Sequence, residues 1–154
     1  MFAVIASQME DFRNISKHDR IQKEIVSTCQ DLGIKATQEY RGNGWRADVY
    51  IPNNNKPIAF EIQLSPQTLK RTLDRQSKYI KDGIIGCWFF ENPVSKLNEE
   101  RPDLPLFYVE DQINSRLQVN LSDRRKVDLH TFLQNFISSN IQFKSIAITK
   151  AKQL

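Results

Sequence analysis

The chain has 154 residues, of which 40% are hydrophobic and 26% charged, which is typical of one globular domain with a substantial core. Its formal net charge of +4 is compatible with a nucleic-acid partner but too small to demand one. No apolar run approaches the length of a membrane span, and the N-terminus lacks the basic segment of a signal peptide, so we expect a cytoplasmic protein with no membrane partner.

The first half of the chain predicts one helix followed by strands. A short strand is expected at the start of residues 1–12. Ser16 and Asp19 have the spacing of a capping box, which predicts a helix over 17–32 that Gly33 terminates. Alternating or β-branched segments then predict strands at 34–40, 45–51 and 57–64, with a turn at 41–44.

The second half predicts two more helices around a buried strand. Ser65 and Pro66 are typical of an N-cap and first helical residue, and the helix that follows has an apolar stripe and ends at Asp82. Its stripe consists of Leu69, Leu73, Gln76 and Ile80. The continuous apolar run at 84–91 predicts a strand buried on both faces. A loop at 92–105, strands at 106–111 and 116–121, and a closing helix capped by Asp128 complete the chain.

This order of elements predicts a mixed α/β fold with helices on both sides of a central sheet. We expect a single domain over 1–154, with its core at about 17–140. The two cysteines lie in apolar surroundings without a CxxC or His/Cys cluster, which favours buried free thiols over zinc ligands.

Acidic residues lie in the middle of the two strands that flank the turn-like sequence PNNNKP. In an antiparallel hairpin centred on residues 54–55, the apolar side chains share one face: Ala47, Val49, Ile51, Ile58, Phe60 and Ile62. Asp48 and Glu61 then meet on the opposite face, with Gln63 two residues beyond Glu61. Directly opposite carboxylates would have Cβ atoms about 5 Å apart and would repel each other.

Two interpretations of this acidic pair remain open from the pattern alone. A divalent cation or a basic side chain could offset the repulsion between Asp48 and Glu61. Alternatively, the acids could lie on an ordinary solvated face, with Arg46 as their partner.

An Asp on one strand, followed about a dozen residues later by Glu-x-Lys on the next, is the signature of the PD-(D/E)XK nuclease superfamily; here Asp48 and Glu61-Ile62-Gln63 fill those places. The wider stretch, RADV followed by IAFEIQLSPQTLKRTLDRQSKY, resembles the nuclease domain of the competence protein CoiA-like family. The matching positions are Arg46, Asp48, Val49, Glu61, Gln63, Ser65, Arg75 and Tyr79.

This resemblance implies a restriction endonuclease-like fold and a Mg²⁺- or Mn²⁺-dependent nuclease acting on single- or double-stranded DNA. Asp48, Glu61 and the backbone carbonyl of Ile62 would hold the metal, and Gln63 would orient the attacking water. Gln63 replaces the usual lysine, so a basic residue from elsewhere could supply the missing charge; the candidates are Lys23, Arg71 and Arg75.

The resemblance also implies supporting residues outside the hairpin. His18, Lys23 and Glu39 match a His, a Lys and a Glu that the family carries before the Asp strand, and Arg75 lies on the following helix. Arg71, Arg75 and Lys78 form a basic stripe that could bind DNA, although a solvated helix face has the same pattern.

Other functional classes remain as alternatives. The chain could be a catalytically weak or inactive DNA-binding accessory on the same fold, or a protein-interaction module. Homodimer formation and protein partners are left open by the sequence.

Overall fold

The computed structural model describes residues 2–52, 56–94, 101, 103–111, 116–121 and 125–138, with side chains from residue 16 onward. Within these residues the helices are α1 Phe2–Asp31, α2 Leu69–Lys81 and α3 Leu129–Ser138. The strands are β1 Thr37–Arg41, β2 Arg46–Ile51, β3 Ile58–Gln63, β4 Ile85–Phe90, β5 Leu106–Asp111, β6 Leu117–Asn120 and β7 Lys126–Asp128.

The seven strands form one mixed sheet in chain order from β1 to β7. β3, β4 and β5 are parallel to one another, and the remaining neighbours are antiparallel. Parallel neighbours require a crossover, which α2 provides between β3 and β4. Because α1 and α3 cover one face and α2 the other, the expected α/β architecture is confirmed.

The two faces of the sheet have different cores. On the α1/α3 face, Ile21 and Ile25 of α1 pack with Phe60, Phe89 and other aliphatic and phenylalanine side chains. On the α2 face, the larger polar aromatics Tyr79 and Trp88 are buried. Full burial of one Ile or Phe side chain stabilises the fold by about 1.5–3 kcal/mol. The two apolar layers therefore hold the sheet in position between the helices.

Several sequence predictions are confirmed. All six residues of β4 are buried, as the apolar run indicates. Gly33 has a positive φ of 73° just after α1, and the carboxylate of Asp128 accepts a hydrogen bond from the Thr131 backbone at 2.7 Å. The short strand β7 was not predicted, part of the predicted 92–105 loop lies outside the described residues, and so does the chain beyond Ser138.

The start of the chain departs from the sequence prediction. The expected strand within residues 1–12 is wrong, because α1 begins at Phe2 and continues through Ser16. The capping-box interpretation of Ser16 and Asp19 is therefore also wrong. No Gly or Pro precedes Gly33, so nothing interrupts the helix where the polar pattern suggested a start. Among the described helices, none has the length and apolar character that a membrane crossing requires.

The start and face of α2 also differ from the prediction. The N-cap is Thr68 rather than Ser65, since its hydroxyl accepts a hydrogen bond from the Arg71 backbone at 3.2 Å. Ile80, predicted in the apolar stripe, is 54% exposed. The buried residues of α2 are Thr72, Gln76 and Tyr79. Leu69 and Leu73 of the predicted stripe pack against the same cluster as Tyr79, and Gln76 is buried, so Ile80 is the one stripe residue that departs. The apolar pattern misses Thr72 because its hydroxyl makes its hydrogen bonds inside the protein.

β1 and β2 share an irregularity at Glu39 and Asp48. Glu39 has a φ of 57°, the one positive value at a non-glycine residue in the described part of the chain. Beyond it Tyr40 pairs with Ala47, and Ala47 packs on the α2 face while Val49 packs on the α1/α3 face. The prediction that Ala47 shares a face with Val49 is wrong, because the backbone is irregular at Glu39 and Asp48, although the β1–β2 register is the same on either side of them.

Gly86 on β4 provides a test of the packing beneath α2. A Cβ at this position would lie 2.1 Å from Gln76 Oε1 and 2.9 Å from Tyr79 Cδ2. We expect Gly86→Ala to lower the free energy of unfolding by about 1–3 kcal/mol, measured by urea denaturation, because both side chains must move. Combining it with Gln76→Ala should cost less than the sum of the single changes. Wild-type stability in Gly86→Ala would contradict this description of the core.

Candidate functional site

Asp48 lies where β2 and β3 separate. The paired residues of these strands run from Ile51–Ile58 to Val49–Phe60, and Asp48 comes next. Its Oδ2 accepts a hydrogen bond from the backbone N–H of Ile62 at 2.8 Å, so the carboxylate bridges the two strands. The residue is only 7% exposed. The irregular backbone at Glu39 and Asp48 thus coincides with a charged side chain at the edge of the core.

Glu61 is held from the opposite side by α2. It is 2% exposed, and its Oε1 is hydrogen-bonded to the Tyr79 hydroxyl. Arg75 Nη2 lies 3.1 Å from Oε2, and the Arg75 guanidinium lies 4.9 Å from the centroid of the Trp88 ring. The cation is thus held over an aromatic face beside the carboxyl group.

The carboxyl groups of Asp48 and Glu61 interact directly across the gap between the strands. Burial, followed by the negative charge of Asp48, raises the pKa of Glu61 to about 8, although Arg75 opposes this. Burial also acts to raise the pKa of Asp48, but the hydrogen bond and charge of His18 and the Ile62 N–H outweigh it and lower that pKa. At neutral pH without metal, the pair therefore consists of an ionised Asp48 and a largely protonated Glu61.

The Tyr79 hydroxyl is consistent with this protonation state. It lies within hydrogen-bond distance of both Glu61 Oε1 and the Arg46 carbonyl, the latter at 3.1 Å. A phenol has one proton to donate. A protonated Glu61 can donate to the Tyr79 oxygen, which leaves the phenol proton for the Arg46 carbonyl.

His18 of α1 contacts the site from the other face of the sheet. Its Nε2 lies 3.2 Å from Asp48 Oδ2 and 3.1 Å from the Ile62 carbonyl oxygen. The hydrogen bond that His18 donates to Asp48 raises the pKa of His18 above its usual value, against the effect of burial. His18 therefore lies between two of the three oxygen groups that the resemblance assigns to a metal.

Gln22 fixes the orientation of His18. Its buried amide Nε2 lies 3.1 Å from His18 Nδ1 and donates to Glu39 Oε1 at 2.9 Å. A carboxylate only accepts hydrogen bonds, so the NH₂ group of Gln22 faces Glu39 and His18. His18 Nδ1 then accepts, and Nε2 carries the proton that points to Asp48 and Ile62.

The described residues contain one cluster of His, Cys, Asp or Glu side chains that could hold a metal ion. His18, Glu39 and Asp48 each offer a ligand atom, and these atoms lie within 4.8 Å of one another. This set overlaps with the predicted one at Asp48, whereas Glu61 is directed to Tyr79 and Arg75. Carboxylate and carbonyl oxygens suit Mg²⁺, and an added imidazole suits Mn²⁺ and other transition metals.

The remaining predicted residues lie at different distances from this centre. The Gln63 amide donates to the Ser65 carbonyl at 2.8 Å. Lys23 forms an exposed ion pair with Asp19 at 2.9 Å, away from the carboxyl pair. Arg71 and Lys78 are exposed on α2, so of that basic stripe Arg75 is the residue in contact with Glu61.

Sequence reasoning missed two contributions to the site. Gln22 has a recognisable signal, since it follows His18 by four residues and so lies on the same helical face. Lys17 and Glu91 form an ion pair at 2.5 Å, and the Glu91 backbone N–H donates to the Gln63 carbonyl at 3.2 Å. Nothing in the sequence indicates this pairing, because it joins α1 to the end of β4.

The backbone at Glu39 gives a first testable prediction for the site. Non-glycine residues at positive φ are strained, so we expect Glu39→Gly to be more stable than Glu39→Ala by about 1 kcal/mol. Both variants lose the same contacts to Gln22 and Arg46. Thr37 is the control, because at this ordinary strand position the Ala variant should be the more stable. Urea denaturation of the four variants measures both differences, and equal stability of the two Glu39 variants would rule out the strain.

The raised pKa of Glu61 gives a second prediction. In the folded metal-free protein this group keeps its proton up to about pH 8, whereas the ordinary pKa of a glutamate carboxyl group in an unfolded chain is 4.5. The folded state binds more protons in this window, so the stabilising contribution is complete at low pH and disappears as pH rises through 8. Glu61→Gln removes that titration.

We expect urea denaturation in EDTA to show that wild type loses more stability than Glu61→Gln between pH 5.5 and 8.5. Other ionisable groups are common to both proteins and cancel in the comparison. Parallel pH profiles would contradict the assignment of a buried, protonated Glu61.

The comparisons with known proteins give one positive result. No curated protein and no solved structure matches the chain. The family model described as "Competence protein CoiA, nuclease-like domain" matches residues 16–153, a range that contains the whole site. The resemblance read from the motifs is thus confirmed, and the chain belongs to the CoiA nuclease-like domain family.

Proposed function

We propose that this domain is a metal-dependent nuclease that hydrolyses phosphodiester bonds in DNA at the Asp48–Glu61 site. The observation that carries the proposal is the pair of buried carboxyl groups, in which burial and the negative charge of Asp48 raise the pKa of Glu61 although Arg75 lies beside it. In a nuclease-like family, buried acids with shifted pKa values favour a functional site, and a divalent cation would offset their repulsion.

The donor set fits a divalent metal. Asp48, Glu61 and the Ile62 carbonyl would hold Mg²⁺ or Mn²⁺, and His18 and Glu39 lie close enough to join or support them. When bound, such an ion lowers the pKa of a water molecule and stabilises the charge that develops on the phosphate. His18 Nε2 must give up its hydrogen bonds to Asp48 and Ile62 for these oxygens to accept a cation.

The other residues have positioning and binding roles in this proposal. Gln63 orients the attacking water through its amide, which can donate or accept. Arg75 holds the Glu61 carboxyl group, and Arg71 and Lys78 contact the phosphate backbone of DNA. Lys17 pairs with Glu91, and the Glu91 backbone N–H donates to the Gln63 carbonyl. Lys17 is therefore a further source of the positive charge that a lysine provides in the wider superfamily.

A second candidate function is a DNA-binding accessory without catalysis. It is favoured by the Gln63 amide, which lacks a charge and is engaged with Ser65, and by Lys23, which pairs with Asp19. Such a protein would bind DNA in a salt-sensitive way and leave it uncut.

The test is cleavage of plasmid and of linear single- and double-stranded DNA with Mg²⁺, Mn²⁺ or EDTA. We expect wild type to cut only with metal, and Asp48→Asn and Glu61→Gln each to lose about 100-fold or more in rate. Asp19→Asn is the matched control, since this exposed acid of α1 lies outside the carboxyl pair and should cut normally.

Metal binding has a readout that does not depend on cleavage. Mn²⁺ should raise the melting temperature of wild type and of Asp19→Asn, because a ligand of the folded state stabilises it, and should not affect Asp48→Asn. DNA binding without cleavage under any metal would select the accessory function. Undiminished cleavage by Asp48→Asn would exclude this site.

A further inference from the structure

A cluster of aromatic rings extends from the outer strand of the sheet to the carboxyl pair. Tyr40 on β1 and Tyr50 on β2 are stacked, with ring centroids 4.1 Å apart and planes inclined by 9°. Trp45 lies 6.1 Å from Tyr40 and 5.4 Å from Tyr79, centroid to centroid. We call Tyr40, Trp45, Tyr50 and Tyr79 the aromatic cluster.

Tyr40 is the exposed end of this cluster. It is 40% exposed, and besides Ile80 it is the one large hydrophobic residue described as exposed. One face of its ring is covered by Tyr50, so the exposed area lies on the remainder of the ring. An exposed aromatic ring that is already held in place is suited to stacking, because little side-chain freedom is lost when a ligand binds.

The rest of the cluster is held by specific contacts. Trp45 Nε1 donates to Asp82 Oδ2 at 2.6 Å, which attaches the β1–β2 turn to the end of α2. Gly42 makes room for the indole, since a Cβ there would lie 2.0 Å from Trp45 Cζ2. Tyr40 pairs with Ala47 and stacks on Tyr50, and both of these residues pack on the same face of the sheet as Tyr79.

The buried end of the cluster is part of the proposed active site. Tyr79 contacts Trp45 through its ring and Glu61 through its hydroxyl. A ligand on Tyr40 is therefore separated from the carboxyl pair by only two rings.

Positive charge borders the exposed end. Arg41 follows Tyr40 on β1 and is exposed. Lys78 and Lys81 are exposed in the last turn of α2, next to the Asp82 that binds Trp45. Exposed aromatic rings flanked by Arg and Lys favour a polyanion whose units carry flat apolar faces, and single-stranded nucleic acid has this chemistry.

We propose that Tyr40 stacks an unpaired nucleobase, and that the aromatic cluster makes single-stranded DNA the preferred ligand of this domain. The inference rests on the proposed nuclease function in one respect: the bound DNA strand is taken to run from Tyr40 toward Asp48 and Glu61. In a duplex both faces of each base are covered by its neighbours, so a paired base cannot stack on Tyr40.

The test is fluorescence anisotropy in EDTA, which needs neither a loaded metal site nor cleavage. The probes are a labelled oligothymidine, a duplex whose two ends are closed by linkers without bases, and an oligonucleotide of equal length whose residues are abasic. Loss of one base–aromatic stack should weaken binding of Tyr40→Ala to oligothymidine by about 5- to 150-fold. Its affinity for the duplex and for the abasic strand should stay within about twofold of wild type.

The matched variants separate stacking from folding and from general apolar contact. Tyr40→Phe should bind as wild type, whereas Tyr40→Leu should bind as Tyr40→Ala, because it keeps an apolar side chain on Tyr50 and lacks an aromatic face. Ile80→Ala removes the other exposed hydrophobic side chain and should have no effect. Gly42→Ala should weaken oligothymidine binding by displacing Trp45.

The outcomes distinguish this inference from the proposed nuclease activity. Tyr40-dependent binding of oligothymidine by a protein that never cuts DNA would support the aromatic site and contradict the proposed nuclease activity. Unchanged oligothymidine affinity in Tyr40→Ala, an equal loss for the duplex, or no oligothymidine binding by wild type would overturn the aromatic site. In any of those three cases the exposed ring would be better explained by a protein partner on the outer strand.

Discussion

The structure around the site depends on two carboxyl groups that share a gap between diverging strands. Asp48 does not lie on a solvated surface. Its Oδ2 accepts a hydrogen bond from the Ile62 N–H, which β2 leaves without a backbone acceptor where the two strands separate. Glu61 is almost fully buried beside it, and its pKa rises to about 8. Helices α1 and α2 supply polar groups to this gap from opposite faces of the sheet, which links the fold directly to the chemistry.

Asp48 and Glu61 are contacted by different side chains on the two faces of the sheet. On the α1 side, Gln22 orients His18 and Glu39, and His18 stabilises the negative charge of Asp48. On the α2 side, Tyr79 and Arg75 hold Glu61. This asymmetry makes one carboxyl group anionic and the other neutral. A divalent ion between the two groups would remove the cost of keeping both acids ionised.

Much of the fold could be predicted from the sequence, because local patterns dominate it. The β2–β3 register, the burial of β4 and the cap at Asp128 follow from alternation, apolar content and side-chain chemistry. The start of α1 could not be predicted, since polar residues that resemble a cap can lie equally well within a continuous helix. The polar buried face of α2 depends on partners such as Gly86 and Trp88 that come later in the chain.

The site was only partly predictable for the same reason. Alternation identified Asp48 and Glu61, but the irregular backbone at Glu39 and Asp48 changes the face on which Ala47 packs, and a positive φ at Glu leaves no signal in the sequence. The contact between His18 and Asp48 joins residues thirty positions apart. Tertiary contacts of this kind bring the two acids and the helix histidine together. Contacts between aromatic rings connect Tyr40 to them through Trp45 and Tyr79.

We propose above all that the gap between Asp48 and Glu61 is a metal centre. Anomalous scattering from crystals of the protein containing Mn²⁺ is the decisive measurement of this proposal. We expect one manganese peak bonded to Asp48, to Glu61 and to the Ile62 carbonyl, with His18 withdrawn from its present hydrogen bonds or itself bonded to the ion. A protein saturated with Mn²⁺ that shows no peak here, and in which His18 still donates to Asp48, would contradict the account.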